Sequence, residues 1–168
     1  FWELIENEVI RSSRHGNKFS LLVIDADNFK SINDSYGHGS GDTFLQLLVG
    51  GIKAAIRDDD LLSRYGGDEF VAILPETDMA AAEAVAWRII ESAGKVTMST
   101  PDGAQLSGSV SIGMATYPDH AVAMKDLFLF ADNMMYRAKA EGKSRVVVPD
   151  AQDVIDVFRT LGEKSMLI

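Results

Sequence analysis

Cysteine is absent from all 168 residues, so a disulfide framework, a thiolate metal site and a thiol nucleophile are all excluded. Positive charge is scarce. Sixteen basic side chains face 25 acidic ones, and the net charge of -9 opposes general attraction to nucleic acid. A small nucleotide stays compatible if cationic side chains gather around its phosphates. No apolar run is long enough to span a membrane, and the opening FWELIENEV lacks a secretory signal pattern. The expectation is a cytoplasmic chain without direct membrane contact. Because it begins with Phe rather than Met, it is expected to be an excised piece of something longer, such as the cytosolic part of a membrane-anchored sensor protein.

What is present suits one folded domain. The length is too short for two ordinary domains, and the 46% apolar and 24% charged content lies well away from disordered compositions. FSLLVID, residues 19–25, predicts a buried strand that delivers Asp25 at its end. Asp27 is placed to cap a short helix ending near Gly37, and Ser40 to cap a longer one. In that helix Phe44, Leu47, Leu48, Gly51, Ile52, Ala55 and Ile56 recur at helical spacing. LLSRY and FVAIL then read as two strands around GGDE, whose glycines are expected to supply turn conformations that a Cβ resists.

A helix over about residues 78–92 should turn Ala81, Val85 and Ile89 inward. VTMST and QLSGSVSIGMAT flank Pro101-Asp102-Gly103 as a predicted hairpin. On its second strand Val110, Ile112 and Met114 share one face, while Ser111, Gly113 and Ala115 leave the other open to close approach. Leu127, Phe130, Ala131, Met134, Met135 and Ala138 form the stripe of a last long helix, and RVVV closes the pattern as a strand. The order predicts an α/β fold with a mixed central sheet covered by helices. AQDVIDVFRTL, after Pro149, reads as an appended helix.

Several segments carry a resemblance in register: Asp25-Ala26-Asp27-Asn28-Phe29-Lys30, Ile32-Asn33-Asp34, Tyr36-Gly37-His38, Gly41-Asp42, RYGGDEF at residues 64–70, Val110-Ser111-Ile112-Gly113, Ala131-Asp132, and Ala138-Lys139 followed by Gly142-Lys143. Together they resemble the GGDEF domain family, whose members are typically diguanylate cyclases. The resemblance spans roughly residues 15–149. It implies a fold like the nucleotide-cyclase and polymerase palm domains, with a ferredoxin-like core. It also implies Mg²⁺-dependent condensation of two GTP into cyclic di-GMP and two pyrophosphates by two domains facing each other as a homodimer. The expected division is a catalytic domain over residues 1–149, lacking the family's leading motif, and a helical tail or linker over residues 150–168. An upstream sensor domain in a longer protein is also implied.

Asp25 at a strand end and Asp68 in a hairpin can converge and present hard oxygens to a cation. The resemblance makes them the two carboxylate ligands of Mg²⁺, with Mn²⁺ as an alternative, adds the carbonyl of Ala26, and gives Glu69 a role in orienting or deprotonating the attacking hydroxyl. It places Lys30 and Lys139 on substrate phosphates, and Phe29 among the substrate-binding residues. Lys143 stands where arginine is common in the family, which keeps the charge without the planar fork. Asn33 and Asp42 are assigned to guanine. An amide that donates and accepts, together with a carboxylate that receives N1-H and N2-H, matches guanine and not adenine. Arg57-x-x-Asp60, with Arg88 from a neighbouring helix, resembles the inhibitory site for the cyclic di-GMP product.

Taken singly, these residues have plainer readings. Asp68 and Glu69 can simply hydrate a hairpin tip, Lys30 and Lys139 can be helix-surface charge, and Arg57 with Asp60 can be a surface ion pair. A regulatory module that binds GTP or cyclic di-GMP without turnover is the alternative function, and a purely structural domain is the third.

Overall fold

The computed structural model describes residues 1–100 and 102–155. Its elements run α1 (Trp2–His15), β1 (Phe19–Ala26), α2 (Phe29–Ala55), β2 (Leu61–Arg64), β3 (Glu69–Pro75), α3 (Met79–Gly94), β4 (Thr97–Ser99), β5 (Gln105–Ser107), β6 (Val110–Tyr117), α4 (Met124–Ala140) and β7 (Val146–Val147). The main sheet has the order β2-β3-β1-β6-β7 and is antiparallel except for β7, which runs parallel to β6. Setting aside the small β4-β5 sheet, β1-α2-β2-β3-α3-β6 is the β-α-β-β-α-β succession of a ferredoxin-like core.

β1 is buried along all eight residues because it lies in the middle of the sheet with helices over both faces. Leu22 and Ile24 point into one core with Phe44, Leu48 and Ile52 of α2 and Val85 and Ile89 of α3. Leu21 and Val23 point into the other, with Ile5 of α1 and Leu127, Phe130 and Ala131 of α4. Period-two alternation therefore feeds two cores at once. Val110, Ile112 and Met114 join the first and Ala115 joins the second, so the facing expected of β6 holds. The approach at Gly113 is close: a Cβ there would lie 2.0 Å from Met135 N and 2.1 Å from Ala131 O of α4.

Tertiary packing corrects several local expectations. The break expected near Gly37 holds, since its backbone is non-helical (φ 79, ψ 162) and parts α2 into a short and a longer helical stretch. Ser40, however, lies inside the second stretch and does not cap it, and the N-cap of the first is Asn28 and not Asp27. Leu47 is exposed and Leu45 is buried in its place, because the buried face of α2 is the one turned to both the sheet and α3. Ala81 is likewise exposed, and Ala82 takes the inward place. The predicted hairpin exists only as β4 with β5. After Gly108 the chain leaves it, and β6 pairs with β1 in the main sheet. A Cβ on Gly108 would lie 2.2 Å from Ala93 O, so the crossing point is tight against the end of α3.

Helix α1 carries no counterpart in the sequence reading, although it is amphipathic, with Ile5 buried in the second core and Val9 packed beside it. Residues 151–155 are helical. Pro101 and the rest of the expected tail helix lie outside the described residues. No described helix is long and apolar enough to cross a membrane.

Candidate active site

Two chain segments meet at one end of the sheet. Asp25, next to last in β1, is paired across the sheet with Glu69, the first residue of β3. One residue on, the Ala26 amide donates to the Asp68 carbonyl at 3.1 Å. Strand pairing thus brings Asp25, Asp68 and Glu69 into one neighbourhood.

The RYGGDEF turn is closed from within. The Glu69 carbonyl accepts from the amides of Tyr65 (2.9 Å) and Gly66 (3.2 Å), and Arg64 Nε donates to the carbonyls of Gly66 (3.2 Å) and Gly67 (3.1 Å). The glycines do not serve as expected, because neither has a positive φ. Gly66 leaves room for the Glu69 carboxylate, whose Oε2 folds back over the turn to where a Cβ would sit, so a side chain there would have to turn that carboxylate away. Gly67 has nothing within 4 Å of its would-be Cβ.

Asp25 is only 7% exposed. Burial pushes its pKa up to about 6, and the charges of Asp68 and Glu69 push the same way. A hydrogen bond and the positive charge from Lys139, whose Nζ is bonded to Asp25 Oδ1, pull back without cancelling the rise. The rise comes chiefly from lost solvation, and the neighbouring carboxylates only add to it. Two neighbouring carboxylates, one of them buried and short of solvation, suit a hard divalent cation completed by water and phosphate oxygens. Among the described residues no group of three or more His, Cys, Asp or Glu side chains forms a closed metal cage. A cation held here would depend on ligands from the substrate.

The raised pKa predicts a pH dependence of stability. Folded Asp25 holds its proton up to about pH 6, whereas the ordinary value is 3.8. The folded state is therefore favoured fully below about pH 4, and this contribution is lost as the pH rises through about 6, by up to about 3 kcal/mol. Denaturant unfolding of metal-free protein, wild type against Asp25→Asn, checks it. The variant should gain stability relative to wild type between pH 4 and 7, and a constant difference across that range would reject the shift.

On the cationic side, Lys139 near the end of α4 reaches Asp25, and Lys143 Nζ donates to Asn28 Oδ1 at 2.6 Å. Lys30 is exposed in the first turn of α2 and makes no hydrogen bond or ion pair among the described residues. The structure thus brings Lys139 to the carboxylates and Lys143 to the loop after β1, and leaves Lys30 extended beside that loop.

On α2, Asn33 Oδ1 is buried and has no hydrogen-bond partner. Gly41, across the Gly37 kink, approaches so closely that a Cβ would fall 2.0 Å from this oxygen and 3.2 Å from the Phe29 ring. Phe29, Asn33 and Gly41 are therefore packed together, with the exposed Asp42 one residue further on. An orphaned buried acceptor is costly unless a ligand donor fills it.

The three remaining expected residues gather at another corner. The Arg57 amide donates to Asp60 Oδ2 at 2.7 Å, and Arg88 Nε donates to the Ala55 carbonyl at 2.6 Å, two residues before Arg57. A cavity of about 220 Å³ lies there, lined by Lys53, Arg57 and Asp60 among others.

Sequence reasoning missed Asp27 as a member of this site. It is buried and accepts from Ser109 Oγ, Ser111 Oγ and the Ser144 amide. Its partners lie more than 80 residues away, so no local pattern could have shown them.

A family model described as "Diguanylate cyclase, GGDEF domain" matches residues 1–145. Diguanylate cyclase A of Treponema denticola is 36% identical over 151 residues, covering 88% of this chain and 40% of that protein. Diguanylate cyclase TpbB of Pseudomonas aeruginosa is 40% identical over 133 residues, covering 79% and 30%. Among solved structures, a GGDEF-only form of TpbB from Pseudomonas aeruginosa superposes with a TM-score of 0.84 at 35% identity, covering 91% of this chain and 89% of that one. The active GGEEF domain of a diguanylate cyclase from Vibrio cholerae gives 0.77 at 28% identity, covering 88% and 92%. The chain spans about a third of the length of the curated relatives it matches.

Proposed function

Because this chain belongs to the diguanylate cyclase GGDEF domain family, we propose that it condenses two GTP into cyclic di-GMP with release of two pyrophosphates. The observation that carries this reading is the meeting of Asp25, Asp68, Glu69 and Lys139 at one end of the sheet. In the reaction the ribose 3'-oxygen of one GTP forms a bond to the α-phosphorus of the other. The α-β phosphoanhydride bond breaks, and pyrophosphate leaves with its electron pair. Each domain holds one GTP, so two domains must face each other as a homodimer.

The carboxylates of Asp25 and Asp68 and the Ala26 carbonyl would hold Mg²⁺, or Mn²⁺ in its place. When bound, the ion offsets the negative charge that builds up on the phosphate oxygens. Lys30, Lys139 and Lys143 bind the triphosphate, and Glu69 orients or deprotonates the attacking hydroxyl. The Asn33 amide, whose oxygen has no partner among the described residues, would turn to pair with guanine, with Asp42 receiving its N-H donors and Phe29 packed beside them. Adenine presents an acceptor where guanine presents N1-H and has no 2-amino group, so the Asp42 carboxylate would be left without its donors.

Arg57 and Asp60, with Arg88 held nearby by the end of α2, are the proposed inhibitory site for cyclic di-GMP. The guanidinium groups suit phosphate or guanine acceptors, and the carboxylate suits guanine N-H donors. We also propose a cytoplasmic catalytic domain over residues 1–149 that works under an upstream sensor domain, with residues 150–168 as a tail or linker. A second reading, a nucleotide-binding regulatory module without turnover, draws on one observation: Lys139 already occupies an oxygen of Asp25.

Incubating the purified chain at several concentrations with GTP and Mg²⁺, and measuring cyclic di-GMP and pyrophosphate, decides between them. Cyclase activity through paired domains predicts product rising more steeply than linearly with protein concentration. Saturable GTP binding without product would favour the regulatory module, and robust production by a proven monomer would contradict the paired mechanism.

A further inference from the structure

We propose that Asp27 is a positioning residue for the nucleotide triphosphate, locking the loop after β1, the start of β6 and the turn after α4 into one frame; this rests on the GTP reading above. The carboxylate is 5% exposed. Its Oδ1 accepts from Ser111 Oγ at 2.7 Å, and its Oδ2 accepts from Ser109 Oγ at 2.6 Å and from the Ser144 amide at 3.1 Å. Its own amide donates to the Ser109 carbonyl at 2.9 Å. Three segments distant in sequence thus share one side chain, and every donor to it is neutral. A carboxylate in such a place is held by hydrogen bonds and not by a counter-ion.

The backbone around this carboxylate shows what it holds. Asn28 (φ 60), Lys143 (φ 64) and Ser144 (φ 49) all occupy the left-handed region without being glycine. Such conformations persist only where the surroundings over-determine them. Here the surroundings are the Ser144 amide bonded to Asp27 and Lys143 Nζ bonded to Asn28 Oδ1 at 2.6 Å. Lys30 follows Asn28 by two residues on one side of the clamp. Lys139 and Lys143 flank the other, with Lys139 reaching Asp25 two residues before Asp27. Without the clamp the two lysine-bearing segments would be tied to each other only through Lys143 to Asn28 and Lys139 to Asp25, contacts made by ammonium groups that must turn to phosphate when the nucleotide binds. The phosphate-dependent part of nucleotide affinity should then fall, while contacts to the base, which lie further along α2, should survive.

Asparagine at this position keeps one acceptor for the Ser144 amide and requires a serine hydroxyl to reverse its direction, whereas alanine loses all three bonds. The test uses the full chain with Mg²⁺, wild type, Asp27→Asn and Asp27→Ala, and calorimetric binding of a non-hydrolysable α,β-methylene GTP analogue and of GMP. The expected result is a loss of about tenfold or more in analogue affinity for Asp27→Ala, a smaller loss for Asp27→Asn, and GMP affinity changed by less than about twofold. Amide exchange at Ser144, followed by NMR, should accelerate in the same order.

Equal weakening of both ligands would mean a general structural role and would overturn the proposal. An analogue-to-GMP ratio left at the wild-type value would do the same. If Asp27→Ala does not fold, Asp27→Asn decides alone on the same ratio. Failure of the wild type to bind the analogue would reject the GTP reading and this inference with it. Wild-type binding with an unchanged ratio in the variants would reject the Asp27 inference only.

Discussion

Asp68→Asn is expected to lower GTP turnover by about 100-fold or more at saturating GTP and Mg²⁺, with no measurable change in melting temperature. The link from Asp68 to the first strand is its backbone carbonyl, which accepts from the Ala26 amide at 3.1 Å and is untouched by the substitution. Asparagine also matches aspartate in size, so the turn closed by the Glu69 carbonyl and Arg64 should remain as it is. What disappears is one negative charge beside Asp25. A hard cation in this pocket would lose one of its two carboxylates, and about 3 kcal/mol of transition-state stabilisation corresponds to the stated loss. Pyrophosphate release measures the rate, and circular dichroism on heating measures the fold. Turnover equal to wild type would reject Asp68 as a ligand.

Gly113→Ala should produce the largest loss of stability of any single methyl group added to the sheet. The new Cβ would meet Met135 N at 2.0 Å, Ala131 O at 2.1 Å and the Met134 carbonyl carbon at 2.6 Å. These are backbone atoms of a long helix, which cannot rotate away as a side-chain end can. Either α4 lifts from β6 along its length or β6 bends out of register with β1, and both open a core that includes Ala115, Phe130 and Ala131. A cost of about 3 kcal/mol or more is expected from overpacking of this kind. In a domain of this size that lowers the melting temperature by about 6–12 °C.

Gly67→Ala is the control, because nothing lies within 4 Å of its would-be Cβ, and its melting temperature should stay near wild type. Equal stability of Gly113→Ala and wild type would show that the contact is not as close as described. The same displacement reaches function. Lys139 lies one helical turn beyond Met135 on α4, so lifting the helix draws the ammonium from Asp25.

Much of the fold was legible in the sequence because its signals are local. The apolar run FSLLVID, the stripe from Leu127 to Ala138 and the alternation over Val110–Ala115 each match one element and one buried face. Where the reading slipped, a distant neighbour had overruled a local preference. Asp27 has the residue type and position of a helix cap, yet serines from β6 and the turn after α4 claim its carboxylate. Leu47 fits the helical period of α2, but the second contact surface offered by α3 rotates the buried face towards Leu45. Gly66 lies in the expected turn but without a positive φ, and the Glu69 carboxylate folds over it.

The element types, the α/β class and the identity of the acidic and basic side chains could be read without any structure, because they follow from periodicity and from chemistry carried by single residues. Folding was needed to set Asp25 opposite Glu69, to raise the Asp25 pKa through burial and like charge, and to leave Asn33 with an unpartnered oxygen. Each of these depends on strand register and on the distance between helices. Those quantities are set by contacts between residues far apart in the chain, and no local stretch encodes them.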